Sequence, residues 1–280
     1  MSTRSRWLFH AIDDPTQPIV AGPEGFVHTS FFPDVEETIR VHFAGRRRPT
    51  VLAIDPRRIG ARIEIASTPR GPMPHVFGPI PKDAIRESKE DAVRGTRFGF
   101  VAFRGMTLLD LVGMHDPISR IAKMGFDPTT TCEIVAGHEG ELWTEDGARY
   151  SASRVRPPLD EFDVLVVPGG TGTRALETDR RFIDWLRTFP SNRLAVSVCT
   201  GSLLLGAAGR LVGKRATTHF TAIDRLADHG AIPSHERVVD EGSVITGGGV
   251  TSAIDVGVHV VREIAGAEIA AKIMRQMEIR

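Results

Sequence analysis

Two cysteines stand in this 280-residue chain, and the setting of one of them suits nucleophilic chemistry. Cys199 follows the apolar, β-favouring run Leu194-Ala-Val-Ser-Val198 and precedes the small-residue helical pattern Thr200-Gly-Ser-Leu-Leu-Leu-Gly-Ala207. That order places a thiol on a sharp strand-to-helix turn, over the unpaired N–H groups and positive end of a helix. Such dipoles favour thiolate over thiol, and the tight turn lifts the sulfur towards solvent. Ser197 and Gly201, two residues to either side, leave room for a strained elbow, as the glycines do in G-x-S-x-G hydrolases. The competing reading is a buried core cysteine, the usual fate of a free thiol.

Further residues could gather around that sulfur. Asp110 lies in Thr107-Leu-Leu-Asp110-Leu-Val-Gly113, an acid in an otherwise apolar turn. A carboxyl among apolar neighbours has its pKa raised and can donate a proton near neutrality; a helix N-terminal charge is the alternative role. Gly169-Gly170 closes an apolar strand and can aim backbone N–H groups at developing negative charge, with the Thr200 N–H as a second donor. By itself, Gly-Gly after a strand is only a turn. The Thr200 hydroxyl is placed to hold a water or a substrate nitrogen. His219, at the end of Ala216-Thr-Thr-His219, either hydrogen-bonds near the site or caps a helix. No phosphate loop and no metal-ligand spacing is present, so neither a metal nor another cofactor is expected.

The elements that must position these residues alternate. Strands are predicted at Phe98–Phe103, Thr131–Ala136 (with Cys132 in the core), Phe162–Val167 and Leu194–Val198. Shorter ones are expected at Ala216–His219, Arg237–Asp240 and Ser243–Thr246, and a hairpin over Glu141–Ser153 turns at Glu145-Asp-Gly147. Helices are predicted at Thr107–Lys123, Thr173–Phe189 with a break near Asp179, and Val250–Ala265. Strands buried on both faces and alternating with helices predict an α/β, flavodoxin-like parallel sheet between helical layers. Ligands in such sheets bind beyond the carboxyl ends of the strands, where Gly169, Gly170 and Cys199 all fall. The first part is less regular: a helix at Val35–Ala44, a strand at Thr50–Asp55 and short proline-broken segments predict a small α+β domain. The charged run Arg86–Asp91 sets a boundary, giving domains of 1–93 and 94–280.

Composition narrows the function classes. Lys plus Arg and Asp plus Glu number 35 each, so nothing points to nucleic acid, and Arg46-Arg-Arg48 reads as a solvated loop. Apolar runs are too short to span a bilayer, and Met1–His10 lacks the apolar core of a signal peptide. Two cysteines make no disulfide framework, which predicts a reduced, cytoplasmic setting.

Taken together, Val198-Cys-Thr-Gly-Ser202, Gly213–His219, Val167-Pro-Gly-Gly170 and Ile245–Asp255 resemble the ThiJ/PfpI superfamily, with its class I glutamine amidotransferase-like sandwich, from about residue 96 onward. Protease and chaperone-like branches place His after the cysteine, where this chain has Thr200. Glutaminases use a late His-x-Glu pair, whereas His235 and Glu236 are adjacent here. Cys-Thr-Gly with Ala-Thr-Thr-His resembles the branch shared by isonitrile-hydrating enzymes and the sensing domains of AraC-type regulators. With one final helix before Arg280, the helix-turn-helix tail of those regulators is not expected here. The resemblance to the isonitrile-hydrating enzymes implies a required trio of an aspartate in the first strand–helix turn, the elbow cysteine and the next threonine, and Asp110, Cys199 and Thr200 match these one by one. The resemblance implies a small-molecule isonitrile substrate, a thioimidate on Cys199, an N-substituted formamide product, no cofactor, and a homodimer. Glyoxalase- or deglycase-like action is an alternative, disfavoured by Asp rather than Glu at position 110 and by Thr200. A cysteine-oxidation sensor is another.

Residues 6 to about 88 resemble a small bacterial family of unknown function through Glu24–Ser30, Leu52–Pro56 and Pro74–Ile80. That family is distantly similar to the ADP-ribosyltransferase fold, which licenses no function. His28 and His75 either line a small-ligand cleft or are held structurally by turns. An accessory role beside the second domain is expected.

Overall fold

The computed structural model describes residues 8–12, 18–30, 35–42, 50–69, 71–86 and 95–279. Contacts divide the chain into one unit of Met1–Arg94 with Glu263–Ala267 and another of Gly95–Arg262 with Glu268–Arg280. The Arg46–Arg48 loop and most of the Arg86–Asp91 boundary lie outside the described residues.

In the first unit, β1 (Leu8–Ile12), β2 (Val27–His28), α1 (Val35–His42), β3 (Thr50–Ile54), β4 (Arg62–Thr68), β5 (Gly71–Phe77) and β6 (Ile85–Arg86) follow in chain order. They form two three-stranded sheets, β1-β3-β6 and β2-β5-β4, with every pairing antiparallel. Leu8, Ile19, Val27, Leu52, Ile54 and Val76 close its core. This is α+β architecture.

The second unit is a seven-stranded sheet in the order β11-β8-β7-β12-β13-β17-β16. Its strands are β7 (Arg97–Ala102), β8 (Thr131–Ala136), β11 (Arg154–Val155), β12 (Val164–Val167), β13 (Leu194–Val198), β16 (Val238–Asp240) and β17 (Val244–Gly247). All pairings are parallel except that of β16 on β17, at the edge. Every residue of β12 and β13 is buried, as two-sided covering by helices requires. The layers are α2 (Leu108–Lys123), α3 (Thr173–Leu176), α4 (Arg180–Arg187), α5 (Gly201–Ala207), α6 (Ser252–Ala265) and α7 (Ala267–Gln276). The expected break near Asp179 is a fresh helix start, because the Asp179 carboxylate accepts from Arg181 N and Phe182 N as an N-cap. The expected hairpin is β9 (Leu142–Trp143) against β10 (Arg149–Tyr150).

Two expectations need correction. Only β14 (Arg215–Ala216) is extended where a strand to His219 is predicted, and it pairs with the short β15 (Ile232–Pro233). Beyond it the chain is diverted: Thr217 N donates to Thr246 Oγ1 and the Thr218 hydroxyl to Cys199 O, and 3-10 turns run from Phe220 to His229. Cys132 is half-buried rather than core. Because β7, β12, β13 and β17 run parallel, the turns at Arg104–Thr107, Pro168–Thr171, Cys199–Thr200 and Gly248 share the carboxyl edge of the sheet.

Candidate active site

Cys199 sits at the elbow between β13 and α5 with φ of 54°, in the left-handed region that a side chain occupies only under strain. The surroundings hold it there. Its N–H donates to Gly247 O (3.0 Å) and Gly248 O (2.8 Å) at the end of β17. Its carbonyl accepts from the hydroxyls of Thr218 (2.9 Å) and Ser202 (3.1 Å). A methyl group at Gly201 would stand 2.3 Å from Val167 O, so this position must lack a side chain for the elbow to form.

Asp110 reaches the same place from the first turn of α2 and is wholly buried. Oδ2 accepts from Gly169 N at 2.9 Å, whereas Oδ1 is buried with no N–H or O–H partner. The carboxyl also interacts with the Cys199 thiol. Gly169 is the spacer between them: a methyl there would lie 2.6 Å from Thr200 N, 2.8 Å from Cys199 Cβ and 2.9 Å from Asp110 Oδ2. Glycine lets the loop touch both.

Electrostatics revise the expected thiolate. Burial, and then the negative charge of Asp110, pushes the Cys199 thiol up to about 12, outweighing the Thr200 N–H that stabilises the anion. Cys199 is only 6% exposed, and α5 has just seven residues, so its dipole does not compensate for lost water. Burial also pushes the Asp110 carboxyl up to about 7, partly offset by the Gly169 N–H and Cys199 and reinforced by the charge of Glu145. Near neutrality the sulfur keeps its proton beside a carboxyl close to half-titration. The raised pKa of Asp110 has the direction expected from its apolar turn; the expected ionised resting thiol is not what the buried surroundings favour.

The glycine pair also departs from expectation. Gly169 N–H is spent on Asp110, and Gly170 N donates to Thr200 Oγ1 at 3.0 Å. Neither is free to serve an oxyanion. The Thr200 hydroxyl in turn donates to Gly170 O (3.2 Å) and lies 3.0 Å from the buried hydroxyl of Thr173, which itself donates to Gly170 O (2.7 Å). Thr200 therefore fastens the glycine loop to the elbow, with its N–H beside the sulfur. His219 caps the 3-10 segment, accepting from Thr221 N and lying 2.8 Å from Thr221 Oγ1, so its neighbour Thr218 is the residue that grips the elbow. Sequence reasoning passed over Thr218, Thr173 and Glu145. Hydroxyls in Thr-Thr-His and Thr-Gly-Thr contexts are common, and only folding makes them converge.

In the first unit, His28 and His75 are register partners across β2 and β5, with ring centroids 5.0 Å apart. His28 Nε2 pairs with Glu24 at 2.6 Å, and Phe26 stacks on His75 at 4.0 Å. Turn and ring contacts thus account for both rings.

A family model described as the DJ-1/PfpI family matches residues 100–263, and one described as a protein of unknown function (DUF952) matches residues 2–88. An isonitrile hydratase of Pseudomonas putida is 36% identical over 183 residues, covering 65% of this chain and 78% of that protein. The transcriptional regulator CdhR of Pseudomonas aeruginosa is 27% identical over 185 residues, and the match covers 54% of its length. The crystal structure of a ThiJ/PfpI family protein from Pseudomonas syringae superimposes with a TM-score of 0.59 at 33% identity, over 66% of this chain and 75% of that one.

Proposed function

The chain belongs to the DJ-1/PfpI family, and on that premise we propose that its Cys199–Asp110 site hydrates isonitriles to N-substituted formamides. The observation that carries this reading is the juxtaposition, across Gly169, of the strained Cys199 elbow and the wholly buried Asp110 carboxyl, whose burial raises its pKa to about 7. Addition of a thiol to R–N≡C must form a carbon–sulfur bond and place one proton on the same carbon. Asp110 takes the proton from sulfur as the bond forms and delivers it to that carbon, giving the thioimidate R–N=CH–S. The carboxyl ends in the state in which it began. No outside acid is consumed.

Water then adds across the C=N bond, its hydroxyl to carbon and its proton to nitrogen. Collapse of the adduct returns the remaining hydroxyl proton to sulfur through Asp110 and releases R–NH–CHO. The Thr200 N–H steadies the departing sulfur, and its hydroxyl holds Gly170 so that Gly169 keeps Asp110 oriented. The engaged glycine amides support the same reading. Acyl-transfer chemistry needs free donors where an oxyanion develops, whereas addition of a thiol to an isonitrile develops none. The protonated resting state of Cys199 also fits poorly with an oxidation sensor, whose sulfur reacts as the thiolate.

The test is turnover of cyclohexyl isocyanide by the purified protein, read as N-cyclohexylformamide by mass spectrometry. Wild type forms it, and Cys199→Ala forms none above the uncatalysed rate. Undiminished product from Cys199→Ala, or turnover of methylglyoxal with no formamide from any isonitrile, refutes the reading.

A further inference from the structure

We infer that Glu145, bonded to the loops that border Cys199 and Asp110, is a charge gate that admits uncharged electrophiles to Cys199 and turns anionic ones away. The inference rests on the reading of Cys199 as a nucleophile, but not on the identity of its substrate.

Glu145 stands at the tip of the β9–β10 hairpin, which is stitched to the sheet edge. Glu145 N donates to Met106 O (3.0 Å), Gly105 N donates to Trp143 O (2.8 Å), and Met106 bridges Thr144. The side chain is exposed, yet both of its oxygens are used. Oε1 accepts from the Thr107 hydroxyl at 2.9 Å and Oε2 from Thr171 N at 3.2 Å. These partners belong to the two loops that border the reacting groups. Thr107 begins α2 three residues before Asp110 and donates its own N–H to Gly169 O at 2.9 Å. Thr171 follows Gly170, whose N–H binds Thr200. Thr107 is the N-cap of α2, but its hydroxyl makes no capping bond, being turned to Glu145 instead.

A carboxylate in this place therefore does more than brace a turn. Among the described residues no Lys, Arg or His forms an ion pair with it. The guanidinium of Arg104 is held by the carbonyls of Glu139 and Glu141 and packs over Trp143 rather than pairing with Glu145. The charge of Glu145 is felt at Asp110. An anion approaching Cys199 past these loops is repelled by the Glu145 carboxylate beside Asp110, whereas a neutral electrophile carries no net charge for that field to oppose. Under the proposed hydration this selects isonitriles without a carboxylate over isocyano acids.

The experiment uses the full-length chain. Rates of Cys199 modification by iodoacetate (anionic) and iodoacetamide (neutral, nearly the same shape) are followed on the Cys199 peptide by mass spectrometry, separating it from Cys132. In wild type at low ionic strength the anionic reagent lags. Glu145→Gln, which keeps an acceptor for Thr107, is expected to raise the iodoacetate-to-iodoacetamide ratio roughly three- to tenfold, the scale of one charge interacting through mostly aqueous surroundings. Salt at about 0.5 M is expected to raise the wild-type ratio in the same direction, with no substitution needed. A ratio that does not move with either change, a fall in both rates together, or a sulfur that neither reagent reaches overturns the gate. The two ideas fail separately. A shifted ratio in a protein that hydrates neither cyclohexyl isocyanide nor isocyanoacetate leaves the gate standing and removes the proposed hydration.

Discussion

Replacing Asp110 by Asn separates the protonation of this carboxyl from its shape, and the structure sets the size of the effect. The amide can still accept the Gly169 N–H, but it cannot ionise. In wild type the carboxyl moves from an ordinary value of 3.8 to about 7 on folding. The folded state therefore binds the proton more tightly, and stability contributed by this group is full below pH 3.8 and is lost as pH rises through 7. Between about pH 5 and 8 the linkage amounts to about 2–3 kcal/mol. Cys199, pushed up to about 12, stays protonated across that range and adds nothing. Urea unfolding followed by tryptophan fluorescence suits the measurement, because Trp185 is buried in the same unit and bonded to Pro157 O. Histidines shared by both proteins cancel in the difference. The variant should gain on wild type by about 2–3 kcal/mol from pH 5 to pH 8. Parallel stability profiles would mean that Asp110 is solvated or paired in the folded protein, and the proton-relay argument would go with them.

Two further outcomes follow from the same geometry. Cys199 in the folded protein should react with iodoacetamide at pH 7.5 at least about a hundredfold more slowly than an unfolded-state cysteine, since a pKa of about 12 leaves little thiolate; equal rates would restore the ionised thiol. Gly169→Ala forces a methyl within 2.9 Å of Thr200 N, Cys199 Cβ and Asp110 Oδ2. It should lower kcat/KM for isonitrile hydration by about a hundredfold or more, and retention of most activity would show that the loop can yield.

Much of the architecture was legible because burial and hydrogen bonding repeat along the chain. Val164–Val167 and Leu194–Val198 are continuous apolar runs, and only a sheet covered on both faces accommodates them. The elbow was legible too, since Gly201 is required where a methyl would strike Val167 O. The His219 strand was misjudged because Thr217 and Thr218 spend their N–H and hydroxyl on Thr246 and Cys199, distant partners that no local pattern announces. The glycine amides were misjudged for the same reason: Asp110 and Thr200 claim them from 59 and 30 residues away.

The chain's order of residues was enough to determine a parallel α/β sheet, a cysteine at a strand-to-helix turn, and an acid, a glycine pair and a threonine on neighbouring loops, because backbone periodicity and steric room are local properties. Which group holds the proton was decided only by tertiary structure. Solvent exclusion and Coulomb coupling between Cys199, Asp110 and Glu145 depend on how three loops close over one another, and that closure reverses the ionised state that the helix end alone would favour.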